Sequence, residues 1–534
     1  MGRRSAEPAD RAAAGCAGHA GRHRCGACLP VSGMSRDNSY GQILKSSALM
    51  GGAQGINYAI GLLRVKAVAL LLGPAGVGVV GLYGAAMNLL GAVTGLGLQR
   101  SAVRAIAIAQ GQDDSVAVAR AIRMLRRLCW ATGLLGWLAS AALAIPLSRM
   151  MFQSSAHAWA LALLGSTLLL GAVNGGQLAL LRGLRRIGDI ARVQVAAAFL
   201  NTIATVALYA WLRERGIVPV LLVTACLSLA TSWWFVRRVE VAEVAMSWAQ
   251  AIEEAKPMVT LGIALMASTV LSTLLELYTR SVLSARLGLD AVGLYQAAWS
   301  LSGMFAGFVL SAMGTDFYPR LAAAIHDRAA AIREINQQTE IGLLLALPGL
   351  LATMALAKWI VWALYSARFL PAADVLVWLV LGVFGRVVSW PLGYVQVALN
   401  VGRWYIATEF AFIALQAALV VLLVPRFGVV GAAYAFFACY AAYFVGMQWV
   451  ARRLIGFGYS PECWRLILTA SAMVACAMLA NRILPQWPGL AIGLAIACGG
   501  ALWSLRALGQ RLGPGHRLIR VAGRIPGLAR LLGS

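Results

Sequence analysis

The segment Val80-Gly81-Leu82-Tyr83 recurs as Val292-Gly293-Leu294-Tyr295, an offset of 212 residues. The same offset pairs Gly76 with Gly288, Ala85 with Ala297, Gly91 with Gly303, Gly95 with Gly307 and Gly216 with Gly428. One spacing held from residue 76 to residue 428 implies two similar halves filling most of the chain. Both copies contain apolar runs of about 20 residues, the length that crosses a bilayer core. Duplicated helical bundles in a membrane support alternating access to a site between the halves.

Composition agrees. Hydrophobic residues make up 60% and charged residues 12% of the chain, against about 25% charged in soluble domains. The net charge of +25 raises nucleic acid as a partner. Yet the basic residues come in twos and threes at the ends of apolar runs, not as a patch interleaved with aromatics. That placement is the positive-inside pattern of a multi-pass membrane protein and excludes a nucleic-acid reading.

Fourteen apolar windows are predicted to span, near 46–72, 77–99, 128–148, 158–181, 190–212, 217–236, 257–285, 290–315, 341–364, 372–398, 404–424, 429–450, 463–484 and 487–508. Alternate connections hold twenty Lys and Arg: residues 100, 104, 120, 123, 126, 127, 182, 185, 186, 192, 237, 238, 256, 320, 328, 333, 403, 452, 453 and 465. The other connections hold seven: Arg149, Arg213, Arg215, Arg286, Arg368, Arg426 and Arg482. The rich side is expected in the cytoplasm, with both termini there. Six spans return the chain to its starting side, so the halves should be related as a parallel repeat. The expected fold is an all-α polytopic membrane protein with two six-helix bundles, over 34–256 and 257–453, and two further transmembrane helices over 454–508. A basic cytoplasmic tail over 509–534 suits anionic headgroups.

Residues 1–33 differ from the rest. They contain Cys16, Cys25, Cys28, His19 and His23 but no apolar signal-peptide core. The Cys25-x-x-Cys28 spacing with two nearby histidines raises zinc, but matches no finger. This stretch is expected to be disordered or to precede a true start at Met34, and no metal or cofactor is expected. The other six cysteines sit singly in or beside apolar segments, as small core residues.

The chain has no HExxH, P-loop or GxSxG motif, and no paired carboxylates beside a histidine. Its connections on the sparse side are too short to carry a catalytic domain. A transporter is expected, not an enzyme.

A charge at the middle of a span costs about 2.5–3.5 kcal/mol on insertion scales and is a functional candidate by default. Span one carries Arg64 and Lys66, span seven carries Glu276 and Arg280, and span ten carries Arg386. The 212 offset sets Glu276 on Arg64. Structural roles compete with function here. Arg64 and Lys66 diverge by about 200° around their helix, so one of them could snorkel outward. Glu276 and Arg280 are spaced to neutralise each other, and Arg386 could cap carbonyls near Pro391. As a set the basic residues outnumber the acid by three, and a net positive cleft calls for an anionic ligand. Asn57, Asn88, Asn174, Gln177, Gln396, Asn400 and Glu409 are weaker polar candidates, for sugar contacts or for joining helices. Trp211, Trp233, Trp234, Trp449 and Trp487 fit an interfacial belt.

Several motifs resemble the Wzx-type polysaccharide flippases of the multidrug/oligosaccharidyl-lipid/polysaccharide superfamily. They are Gly61-Leu62-Leu63-x-x-Lys66 running into Leu72-Gly73-Pro74-Ala75-Gly76-Val77-Gly78, Val292-Gly293-Leu294-Tyr295, Asp316-Phe317-Tyr318-Pro319-Arg320-Leu321, and Phe427-Gly428-x-x-Gly431-Ala432-Ala433. The resemblance covers roughly residues 40–453. It implies movement of an undecaprenyl-pyrophosphate-linked oligosaccharide from the cytoplasmic to the periplasmic leaflet of a bacterial inner membrane. The glycan would serve O-antigen, common-antigen or exopolysaccharide assembly, with polymerase and chain-length proteins as partners besides the membrane lipids. Arg64, Lys66, Arg280 and Arg386 would hold the pyrophosphate. Asn57, Glu276, Asp316, Gln396 and Glu409 are the sugar or ion-coupling candidates. Arg64 departs from the family pattern, as do the fourteen spans, where twelve are common. The alternatives are a multidrug or cation exporter of the same superfamily and a membrane glycan polymerase or ligase.

Reporter fusions test the orientation. Fusions after Gln153 and Arg368 should report the periplasm, and fusions after Asp114 and Asp327 the cytoplasm. The reverse pattern would invert the protein.

Overall fold

The computed structural model describes residues 36–112, 114–239, 244 and 247–512. The 1–33 extension with its cysteines and histidines lies outside them, as does the tail beyond residue 512. Residues up to Ala48 cluster apart from Leu49–Ser534, and the packing below is all within the second unit.

The described chain is helical, with no strand. In order the helices are α1 (Arg36–Thr94), α2 (Leu98–Gly111), α3 (Ser115–Ala142), α4 (Ala144–Phe152), α5 (Ala158–Gly183) and α6 (Ile187–Leu212). Then come α7 (Ile217–Val236), α8 (Trp248–Leu287), α9 (Leu289–Ala324), α10 (Arg328–Ala355) and α11 (Ala357–Leu364). The last are α12 (Ala372–Ala398), α13 (Gly402–Phe427), α14 (Val429–Ile455), α15 (Pro461–Ile483) and α16 (Gln486–Leu512).

Among the described residues, nine helical stretches are apolar and long enough to cross a membrane. Two of them, Met50–Thr94 and Ile187–Val236, are 45 and 50 residues long and hold two crossings each. The bent pair α3 and α4, meeting at 60°, makes another crossing. Helices α8 and α9, of 40 and 36 residues, complete fourteen. Each window read from sequence has its helix.

The repeat is visible in backbone detail. Asp114 and Asp327 cap α3 and α10, each carboxylate accepting from two backbone amides. Removing such a cap costs about 1 kcal/mol. Both helices run 28 residues and break at Leu143 and Leu356, where φ is −92° and −98°. A short helix follows each break. Arg185 and Asn400 hold matching left-handed turns at φ 53° and 56°. Packing repeats too: α3 on α5, α5 on α7 and α6 on α7 correspond to α10 on α12, α12 on α14 and α13 on α14. The halves are a parallel repeat, and α15 and α16 pack against α10.

The register drifts, which corrects three pairings. The turn between spans one and two is at Gly73 (φ 66°, ψ −172°), and its conformational partner is Gly288 (φ 83°, ψ 179°). Gly76 is therefore not the counterpart of Gly288, nor Gly216 of Gly428, whose conformational partner at the end of α6 is Arg213 (φ 52°, ψ −131°, against φ 62°, ψ −144°). Three extra residues follow Gly73, so the spacing is 215 before the turn and 212 at Val-Gly-Leu-Tyr. With the turns matched, Arg64 corresponds to Thr279 and Glu276 to Gly61. Glu276 is not the equivalent of Arg64.

The Gly73 and Gly288 turns lie at one end of the bundle, and there the halves meet backbone to backbone. A Cβ on Gly293 would collide with the Pro74 carbonyl, and one on Gly78 with the Leu289 carbonyl. Among helices in a membrane, where hydrocarbon is no better solvated by protein than by lipid, close approach of small residues supplies much of the association. Gly293→Ala should lower the thermal unfolding midpoint of purified protein, an overpacking cost of about 1–3 kcal/mol. Gly303→Ala, where nothing stands within 4 Å of the added carbon, should leave the midpoint unchanged or higher. Equal midpoints for both variants would mean that the turns do not meet as described.

Candidate functional site

A cavity of about 430 Å³ opens within the second half, walled by α8, α9, α12, α13 and α14. The helical period builds it. Ser268, Ser272, Glu276 and Thr279 form one stripe of α8 at spacings of three and four. Arg386, Trp390 and Tyr394 do the same on α12; Tyr405, Thr408, Glu409 and Gln416 on α13; Tyr440 and Tyr443 on α14. Tyr295 and Trp299 close the wall from α9.

Arg386 is the one basic residue on this wall. Its guanidinium stands 5.9 Å from the Tyr440 ring centroid and attracts the Glu409 carboxylate electrostatically. It makes no hydrogen bond among the described residues, so its donors are left for a ligand. Helix α12 runs through Pro391 unbroken, and the suggested cap on carbonyls there is not formed. Glu409, Tyr405 and Ser268 share this wall. Gln396 is 1% exposed and accepts from the Thr408 hydroxyl at 3.0 Å, which makes it an organiser of the wall. The Trp390 and Tyr394 rings pack at 4.6 Å between centroids, tilted by 58°.

Arg280 has a different setting. It is 4% exposed, donates from Nε to Gln296 at 2.9 Å, and pairs with the Glu276 carboxylate at 3.3 Å. Gln296 in turn lies against Gly81 of the first half, where a Cβ would stand 2.9 Å from its Oε1. Arg280 is thus committed behind the wall, tying α8 to α9 and the seam. Glu276 faces the cavity.

Lys66 and Arg64 do not line this cavity. The Lys66 ammonium donates to the Ala363 carbonyl at 2.6 Å and sits 5.9 Å from the Trp362 ring. It ties α1 to the C-terminal end of α11, across the two halves. Arg64 lies electrostatically beside Tyr209 and makes no hydrogen bond among the described residues. Asn57, two turns earlier on the same face as Arg64, has a buried Oδ1 without a partner. Asp316 is 77% exposed and pairs at 2.9 Å with Arg320, which also reaches Glu334. It belongs to a network at the opposite end of the bundle. The cationic set is therefore divided: Arg386 in the cavity, Arg280 behind it, Arg64 and Lys66 on α1. The cavity wall carries two carboxylates and one guanidinium.

Sequence reasoning assigned the Trp and Tyr residues at span ends to the bilayer surface. Trp211 and Trp487, at such ends, are 79% and 68% exposed. The same reasoning overlooked Trp299, Trp390, Tyr394, Tyr405, Tyr440 and Tyr443, which line the cavity. For three of them a signal was available: Trp390 and Tyr394 follow Arg386 at steps of four, and Tyr405 precedes Glu409 by four.

A two-half helical bundle with a polar, aromatic cavity inside the membrane defines a carrier-type membrane protein. The family described as "Polysaccharide biosynthesis protein" matches residues 43–325, and the chain belongs to that family. It is similar to proteins named lipid III flippase from Escherichia coli (strain K12) and Shigella flexneri, each 24% identical over 392 residues, covering 72% of this chain and 92% of theirs. Among solved structures it resembles the lipid II flippase MurJ in an inward closed conformation. That likeness has a TM-score of 0.62 and 12% identity, and covers 87% of this chain and 99% of the other. An inward-facing multidrug resistance MATE family transporter of the MOP superfamily superposes with a TM-score of 0.58 and 16% identity, covering 74% and 95%. At such identities these structures establish the shared fold.

Arg280 and Arg386 should separate on substitution. Arg280→Ala strands Glu276 and Gln296 and should destabilise purified protein by about 1–3 kcal/mol, whereas Glu276→Gln with Arg280→Gln should recover part of the loss. Arg386→Ala should leave the unfolding midpoint in place and impair activity. A midpoint lowered equally by Arg386→Ala would assign it a structural role instead.

Proposed function

We propose that the protein is a flippase that moves an undecaprenyl-pyrophosphate-linked oligosaccharide from the cytoplasmic to the periplasmic leaflet of a bacterial inner membrane. The observation that carries this reading is the mid-membrane cavity, where unbonded Arg386 stands among hydroxyls and aromatic rings. A guanidinium offers a diphosphate paired, charge-assisted donors. Aromatic faces and side-chain hydroxyls suit sugar rings. The similarity to lipid III flippases supports the same assignment, and those relatives are transporters by name, so we place this protein outside the enzymes.

The basic asymmetry supports an orientation with both termini and the Asp114 and Asp327 turns in the cytoplasm, and the Gly73 and Gly288 turns in the periplasm. The Gly73 end is sealed by glycine contacts and by Lys66 on Ala363, the arrangement expected of a carrier awaiting cargo from the other side. Arg386 is the pyrophosphate ligand of the second half, and Arg64 with Asn57 offers polar groups in the first. Lys66 acts first as a closing contact. Outward movement of an anion down an interior-negative potential is favourable by about 2.3 kcal/mol per charge per 100 mV. Glu276 and Glu409 are the ion-coupling candidates. Polymerase and chain-length proteins of the same glycan pathway are the expected partners.

A cation exporter is the second reading, because the cavity wall carries two carboxylates against one guanidinium. A strain lacking the protein decides between them. It should accumulate lipid-linked repeat units on the cytoplasmic leaflet and lose surface polysaccharide, and Arg386→Ala should fail to restore it. Normal surface glycan with increased drug sensitivity would favour the exporter.

A further inference from the structure

Seven basic residues sit on the side of the chain that is otherwise poor in them, and three of these converge. Arg213, Arg215 and Arg368 line one open cavity of about 790 Å³ at the Gly73 end. Its walls are the last turn of α1 before Gly73, the connection from α6 to α7, and the connection from α11 to α12. The Arg368 Nη1 lies 3.7 Å from where a Cβ on Gly73 would stand. Among the described residues none of the three guanidinium groups makes an ion pair or a hydrogen bond, and neither does Glu214 beside them. Like charges at a protein surface repel by about 1–4 kcal/mol at 4 Å. Gathering three of them from two connections distant in the chain, with Glu214 the one acid on the wall and paired with none of them among the described residues, leaves a site that an anion would complete.

The backbone at Arg213 points the same way. It is held at φ 52°, ψ −131°, the left-handed side that favours glycine. The matching turn of the second half places Gly428 there, at φ 62°, ψ −144°. A side chain in such a region costs about 1–3 kcal/mol and persists where surrounding structure or function requires it. The first half keeps an arginine where the second uses the residue that fits without strain.

We propose that this cavity is a product-side subsite for the diphosphate of a lipid-linked substrate, occupied as cargo arrives at the Gly73 end. The inference rests on the flippase reading above. Three guanidinium forks match the acceptor oxygens of a diphosphate better than those of a single phosphate diester. The site is also coupled to closure. The segment from Ala363 to Arg368 carries both the carbonyl held by Lys66 and one of the three arginines, so opening this end and presenting Arg368 involve the same piece of chain.

The test uses detergent-solubilised full-length protein carrying Ser366→Cys, a position on the cavity wall. Thiol modification at residue 366 is followed peptide by peptide, which separates it from the native cysteines and from binding at Arg386. Farnesyl diphosphate should slow the modification. Adding Arg213→Gly and Arg368→Gln should weaken that protection by about tenfold or more, the loss expected of one charge-assisted hydrogen bond. Arg213→Gly relieves the strained turn, so misfolding is not the expected cause. The proposal is overturned by labelling indifferent to farnesyl diphosphate, by protection that survives both substitutions, or by equal protection from phosphatidylglycerol micelles at the same phosphate concentration. The flippase reading fails on another result, normal surface glycan in a strain lacking the protein, so the two are judged separately.

Discussion

The molecule depends on a contact that involves almost no side chain. Gly78 and Gly293 let the turns of the two halves touch backbone to backbone, against Leu289 and Pro74 respectively. Everything else at that end follows from this approach. Gln296 reaches Gly81 because the helices are that close, Arg280 holds Gln296, and Glu276 pairs with Arg280. Lys66 can reach the Ala363 carbonyl for the same reason. A seam built from glycine and backbone is well suited to parting and closing again, because no long side chains need to be extracted from pockets.

Charge within the membrane is accordingly given three kinds of work. Arg280 is spent on structure, buried and paired. Lys66 is spent on closing one end, at the carbonyl terminus of α11, where a cation is also favoured by the helix dipole. Arg386 is left with free donors, among the described residues, in a cavity whose aromatic rings and hydroxyls come from five helices. Substituting each should therefore produce a different defect, although all three are basic residues in spans. The arginines around Gly73 extend the pattern to the surface, where the cost of collecting like charges is smaller but still unfavourable.

Much of the architecture was legible in the sequence. Span number follows from apolar length and the parallel repeat from six spans per half, which depend only on the cost of placing backbone in hydrocarbon. The candidate site was legible in part. Arg386, Glu276, Glu409 and Gln396 were marked because polar groups in a span are expensive, and all four line the cavity. Arg64, Lys66, Arg280 and Asp316 carried the same mark and do not. Cost identifies a residue as consequential without saying what it touches.

What the sequence determined by itself is thus what local physics imposes: helices, their number, their direction and their polar exceptions. The tertiary structure decided which exceptions share a cavity. The three-residue insertion after Gly73 shifts the register between the halves, so the 212-residue match that pairs Arg64 with Glu276 in sequence does not pair them in space. Trp299 and Tyr443 looked like ordinary apolar helix residues until α9 and α14 turned them into the cavity that holds Arg386 and Glu409. Arg213, Arg215 and Arg368 looked like scattered exceptions to a charge rule until three connections met at one end of the bundle. Helix rotation and loop convergence are set by packing between segments distant in the chain, and single-sequence periodicity carries no information about that distance.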